Sequence, residues 1–160
     1  MLFCTPEHRI FLEKLLSRYG LVVNWVADGQ AIPGTWFGEP EAGIIQNQLY
    51  IRHDTPIHSA LHESCHYVCM DAQRRAVLDT DAAGGYDEEN GVCYLQILLS
   101  DYLPFMQQKA MMNDMDEWGY SFRLGSAQAW FDDDAEDAQQ WLLNYELIDV
   151  ENKPTWKIRQ

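Results

Sequence analysis

The stretch Pro56-Ile57-His58-Ser59-Ala60-Leu61-His62-Glu63-Ser64-Cys65-His66 decides how the rest of the chain is read. Its last five residues spell H-E-x-x-H. On an α-helix, residues four apart stand one above the other on a single face, about 6 Å apart along the axis. His62 and His66 so placed can converge on one metal ion, with bonds of about 2.0–2.1 Å if the metal is zinc. Glu63 projects beside the same point and is the candidate general base, the group that takes a proton from a metal-activated water. Ala60, Leu61, Val68 and Met70 give the segment apolar surface to bury. Asp54 or Thr55 is placed to cap the helix, and Pro56 suits its first turn, where a missing N–H is not needed.

The context of this helix is a chain of 160 residues, enough for one domain (residues 1–160) with a proper core. Hydrophobic residues make up 47% of it, with six Trp, eight Tyr and six Phe, so the chain folds despite its charge. That charge is −14, which opposes binding to nucleic acid or to an anionic membrane surface and leaves neutral or basic protein partners open. No apolar run reaches the roughly 18–20 residues that span a bilayer. The opening residues lead straight into a helix start rather than a signal peptide, and a cytoplasmic location is expected. Cys4, Cys65, Cys69 and Cys93 show no disulfide-framework spacing and read as reduced, buried thiols.

Outward from the motif, the preceding residues read as a helix and two strands. Thr5-Pro6-Glu7 opens an amphipathic helix that Gly20 ends. Leu21 to Val26 is β-branched and predicts a strand; Ile44-Ile45 and Leu49 to Arg52 predict a second strand or a hairpin. Between them, residues 28–43 form a Gly- and Pro-rich loop carrying Trp36 and Phe37, long enough to serve as a wall or lid over the site. The strand just before the motif helix is placed to offer an edge to an extended peptide. His53 is expected to face solvent. His58 lies on the same stripe as His62, but about 12 Å along the axis from His66, too far for both to hold one ion. It therefore reads as a contact to a ligand or substrate, or as an ordinary residue of the helix start.

No histidine follows His66, so a third protein ligand downstream must be Asp, Glu or Cys. Glu88 and Glu89 open an apolar helix after the Gly84-Gly85 break, and that helix can pack antiparallel to the motif helix. From Glu89 the same face carries Val92, Cys93 and Gln96, small or polar enough for close approach to a metal, so Glu89 is preferred and Glu88 is the alternative. Arg74 and Arg75 are expected to pair with carboxylates. A methionine-rich helix follows Pro104 and ends at Gly119, its methionines filling core. Tyr120 and Arg123 lie in a connector and are candidate oxyanion donors. Asp132-Asp133-Asp134 is expected to cap a last helix through Tyr145, and residues 151–160 read as a tail.

His62-Glu63-x-x-His66 followed by Glu89 resembles the gluzincin branch of zinc metallopeptidases. The likeness runs from Pro56 to Leu99. It implies that the two histidines and Glu89 hold zinc and that Glu63 is the general base. The run I-H-S-A-L-H-E-S-C-H-Y-V-C, then Arg74-Arg75, then the Glu89 helix, is similar to the elongation factor P hydroxylase family. That likeness implies the same three ligands around iron(II). The expectation is an α+β fold: a small sheet, an H-E-x-x-H active-site helix and a mainly helical C-terminal half. The functional expectation is a zincin-like metallopeptidase acting on a peptide or protein. The alternatives are an iron(II)-dependent protein hydroxylase and a non-catalytic, metal-stabilised binding protein.

Overall fold

The computed structural model describes all 160 residues. Seven α-helices and three strands follow one another as α1 (Arg9–Ser17), β1 (Val22–Trp25), β2 (Gly43–Ile45), β3 (Gln48–Ile51), α2 (Ile57–Cys69), α3 (Ala72–Ala76), α4 (Tyr86–Leu99), α5 (Gln107–Trp118), α6 (Ala127–Asp133) and α7 (Glu136–Asn144). This is the expected small α+β fold, with the sheet confined to the first third of the chain.

Periodicity explains the outer helices. In α1 the buried residues are Leu12, Leu15 and Leu16, one stripe at helical spacing, while Ile10 on the far side and Phe11 at the stripe's border stay exposed. In α5 the stripe is Met111, Met112 and Met115, and the methionines are core filler as expected. Gly119 ends α5 in the left-handed conformation, at φ 108°, which side chains with a Cβ adopt only under strain. The two central helices follow a different rule. Eleven of the 13 residues of α2 and ten of the 14 of α4 are buried, so both are wrapped on all sides and carry no solvent stripe. Their contacts run in opposite chain directions, His58 and His62 meeting Gln96 while His66 meets Glu89, so the pair is antiparallel. One core of 37 buried residues joins these helices to α1, α5, α7 and the sheet.

The sheet has the order β1-β3-β2, with β1 parallel and β2 antiparallel to β3. The strand that leads into α2 is therefore the central one. Both of its edges are already paired, which overturns its expected use as a docking edge for an extended peptide.

Several local expectations are also corrected. Neither Asp54 nor Thr55 caps α2: Pro56 is the N-cap residue, and no side chain bonds the free N–H groups. Thr55 instead accepts from the Arg52 N–H at 2.9 Å, and Asp54 pairs with the Arg52 guanidinium at 2.6 Å. The residues read as a connector after Gly119 contain α6, capped by Ser126, whose hydroxyl accepts from Ala129 N at 3.1 Å. Asp132 and Asp133 belong to the end of α6, and the last helix starts after Ala135, so the acidic run is not its cap. The segment 151–160 is held down rather than free. Arg18 sits over the Trp156 ring at 3.4 Å, and Arg159 bonds both Val68 O and Glu88.

Leu61 is fully buried on α2 at the centre of this core. Truncating it to alanine is expected to lower unfolding free energy by about 2–5 kcal/mol. Urea unfolding followed by circular dichroism should show a lower midpoint at an unchanged slope.

Candidate metal centre

Three side chains from two helices meet at one point. His62 Nε2 and His66 Nε2 on α2 stand 3.1 Å apart. Glu89 in the first turn of α4 places Oε1 3.2 Å from the former and Oε2 3.3 Å from the latter. Tetrahedral ligands bonded at about 2.05 Å lie about 3.3 Å from each other, and right-angle ligands of a six-coordinate ion at similar lengths lie about 2.9 Å apart. The observed separations fall between these values. This is the one cluster of His, Cys, Asp and Glu ligand atoms in the chain gathered closely enough to hold an ion.

The alternative ligand is removed by its own partners. Glu88 is buried and turned to the other side of α4, where Arg74 bonds it at 2.5 and 3.0 Å and Arg159 at 3.0 Å. Arg74 thus pairs with carboxylates as expected. Arg75 does not: its guanidinium donates to the carbonyls of Tyr67, Met70 and Arg159, tying the end of α2 to the C-terminal segment.

Electrostatics follow from crowding. Two imidazole nitrogens this close cannot both carry charge. Burial and the neighbouring His62 push His66 down to about 3. Burial also disfavours a charged His62, yet Tyr120, Cys93 and the Glu89 carboxylate outweigh it and hold that ring above the usual histidine value. Burial would raise the Glu89 carboxyl, but its hydrogen bond to His62 and the two imidazoles keep it below the usual range. Burial, with help from Glu41 and Glu89, pushes Glu63 up to about 7 and only the nearby His62 draws it down, so it titrates near neutrality.

The site is open on two sides. A cavity of about 430 Å³ lies against Glu63, His62, Glu89, Cys93, Trp118, Tyr120 and Phe122. A second, of about 280 Å³, borders the same three charged side chains from the side of His66 and residues 80–84. Phe37 stands between them and is 76% exposed, so the loop 28–43 forms a wall of the site. Arg52, itself buried, anchors that wall by bonding Gln30 O, Glu39 and Asp54. Ser59 of α2 accepts from Ala42 N at 2.9 Å, and Trp118 donates to Glu41 at 2.5 Å. The cavity linings hold Glu41, Glu63, Asp81 and Glu89 but no Lys or Arg.

Of the two candidate oxyanion donors, the structure brings in one. Tyr120 lines the larger cavity, and its ring stands edge-on to His62 at 5.6 Å. Arg123 is exposed and pairs with Asp134. His58 is buried, with Nδ1 3.1 Å from the Tyr120 hydroxyl and Nε2 without a partner. A donor left unpaired costs more than an unfilled lone pair, so the neutral ring carries its proton on Nδ1 and donates it to Tyr120. The Tyr120 O–H is then free to point into the cavity. His58 is neither a metal ligand nor a capping group; it orients a tyrosine. His53 is solvent-facing as expected and lies 3.6 Å from Asp28. All four cysteines are buried and unbridged.

No family model, curated protein or solved structure matches the chain. No helix is long and apolar enough to cross a membrane.

Glu88→Ala should leave the Arg159 charge unpaired and Arg74 with Asp71 alone, and lower stability by about 3–5 kcal/mol. The same variant should keep the metal stoichiometry of the wild type, measured by elemental analysis. Acid should act through His58 and His66, both held near 3 when folded and near 6.5 when unfolded. The unfolded state then binds two more protons between those values, so stability falls as pH falls. In chelator-treated protein Glu63 works against them, because its raised carboxyl holds a proton in the folded state that the unfolded state has lost. The net loss expected is about 1.3 kcal/mol per unit between pH 6 and 5, and His58→Phe should nearly abolish it. Above pH 6.5 the raised His62 acts in the opposite sense, and its contribution is lost as pH rises through its folded value. Urea midpoints across pH 5 to 8 check both limbs.

Proposed function

We propose that the protein is a metal-dependent hydrolase of the zinc peptidase type, acting on a peptide or protein substrate. In this reading His62, His66 and Glu89 hold the metal and Glu63 is the general base. The observation that carries it is two imidazole nitrogens 3.1 Å apart, each within 3.3 Å of one oxygen of the Glu89 carboxylate, beside the buried Glu63 carboxyl at the cavities. Zinc held there supplies Lewis acidity and lowers the pKa of its water to about 7.

The chain's own groups do the rest. Glu63 takes a proton from water at a carboxylate oxygen and returns it to the leaving amine. Tyr120 donates a hydrogen bond from its hydroxyl to the substrate carbonyl oxygen as negative charge gathers there. Phe37, Trp118 and Phe122 give the substrate apolar walls. The carboxylates around the cavities repel anionic substrates and accept neutral or basic peptides. The overall charge of −14 extends the same bias over the surface and opposes nucleic acid or anionic lipid as a partner. Work in the cytoplasm is consistent with four buried, unbridged thiols.

A second reading draws on the same donor set. Two imidazoles and one carboxylate on one side of an ion, with open space on the other, also suit iron(II) and hydroxylation of a protein side chain. Elemental analysis of untagged protein purified under nitrogen separates the readings. One zinc per chain is expected, absent in His62→Ala and Glu89→Ala and retained in Glu63→Gln. Turnover of a peptide library should fall about 10²–10⁴-fold in Glu63→Gln. Iron that is lost in air would replace hydrolysis by hydroxylation. A Glu63→Gln protein differing from wild type only in stability would leave a structural metal site. Folded wild type with no metal would overturn the proposal.

A further inference from the structure

We infer that Gln96 is a positioning residue that fixes the metal-facing nitrogen of His62, an assignment that rests on the metal-site reading above. Gln96 is fully buried in α4, opposite α2. A neutral amide in an apolar seam costs about 1–3 kcal/mol unless its hydrogen bonds are made. Its bonds are made, and each dictates the next. Gln96 Nε2 lies 3.0 Å from the carbonyl oxygen of His58. That oxygen can only accept, so the NH₂ end of the amide must face it. The amide oxygen is thereby turned toward His62, with Oε1 2.9 Å from Nδ1. Oε1 in turn can only accept, so His62 Nδ1 must carry a proton. In the neutral ring Nε2 is left as the lone-pair nitrogen, and it is Nε2 that stands 3.1 Å from His66 Nε2 and 3.2 Å from Glu89.

The two histidines of the site are unequal in this respect. His66 Nδ1 is buried with no partner, so no acceptor in the chain holds its proton away from Nε2. The second hydrogen of the Gln96 amide faces the Tyr120 hydroxyl and Met111 Sδ, both at 3.4 Å, which locks the amide plane further. Because the acceptor sits on α4 and the carbonyl on α2, the helix seam itself sets the tautomer. An acceptor of this kind is worth about 10–100-fold in metal affinity where it orients a ligating histidine.

The test uses the full chain, stripped with chelator, and cobalt(II) as the probe, with affinity measured by competition against a chromogenic chelator. Gln96→Leu keeps the volume and removes the acceptor. It should bind cobalt about 10–100-fold more weakly than wild type and shift the visible absorption of the bound ion. Gln96→Glu keeps an acceptor toward His62 but sets a carboxylate against the His58 carbonyl. It should melt at a lower temperature than Gln96→Leu yet bind cobalt within about threefold of wild type. A residue that only filled space would give the opposite order of affinities. Should Gln96→Glu not fold, nitrogen-15 spectra of zinc-loaded wild type read the same point, with the His62 proton expected on Nδ1. Cobalt affinity of Gln96→Leu within twofold of wild type, or the His62 proton on Nε2, would overturn the role of Gln96 alone. Wild type that takes up no cobalt would overturn the metal site, and this role with it.

Discussion

The antiparallel seam between α2 and α4 is the constraint on which the rest depends. Two helices that are buried on nearly every side must pair most of the polar groups they carry, because few can turn to water. The seam does so in two layers. At one end, Glu88 takes Arg74 from the segment after α2 and Arg159 from the C-terminus. Further along, Gln96 bonds the His58 carbonyl and the His62 ring. Between these layers Glu89 reaches across to both histidines. The adjacent carboxylates 88 and 89 point to different sides of one helix and so have separate duties, one holding structure and the other facing the cavities.

The sheet and the loop before α2 serve the site by placement. β3 is central in its sheet and fixes where α2 begins, and the Arg52 cluster then pins residues 28–43 against that start. As a result Phe37 and Glu41 stand at the cavities although they are more than twenty residues from His62. Buried arginine with a satisfied donor fork is well suited to such a junction, since its planar group can bond a carboxylate and a carbonyl at once.

Much of the site was legible in the sequence, and the legible part has a common cause. His62 and His66 are one helical turn apart, and Val92, Cys93 and Gln96 share a face with Glu89, so helical spacing alone put them on one line. The same spacing told against His58 as a co-ligand of His66. What spacing could not resolve was the choice between Glu88 and Glu89, because both open the same helix. Nor could it show that Arg159 would travel back to Glu88, since a charged residue near a chain end carries no pattern. The signal for Gln96 as a partner of His62 was present but weak: a buried-face glutamine two turns after a candidate ligand.

By itself the sequence determined the local chemistry: an H-E-x-x-H helix, a following acidic helix start, a small β region and a helical second half. These depend on periodicity and on residue type, which act over a few neighbours. The tertiary structure decided which carboxylate faces the histidines, which nitrogen of His62 is left free, and that β3 has no open edge. It also decided that Tyr120 enters the cavity while Arg123 does not. Each of these is set by a bond or a packing contact between residues far apart in the chain, and such contacts exist only once the core has closed.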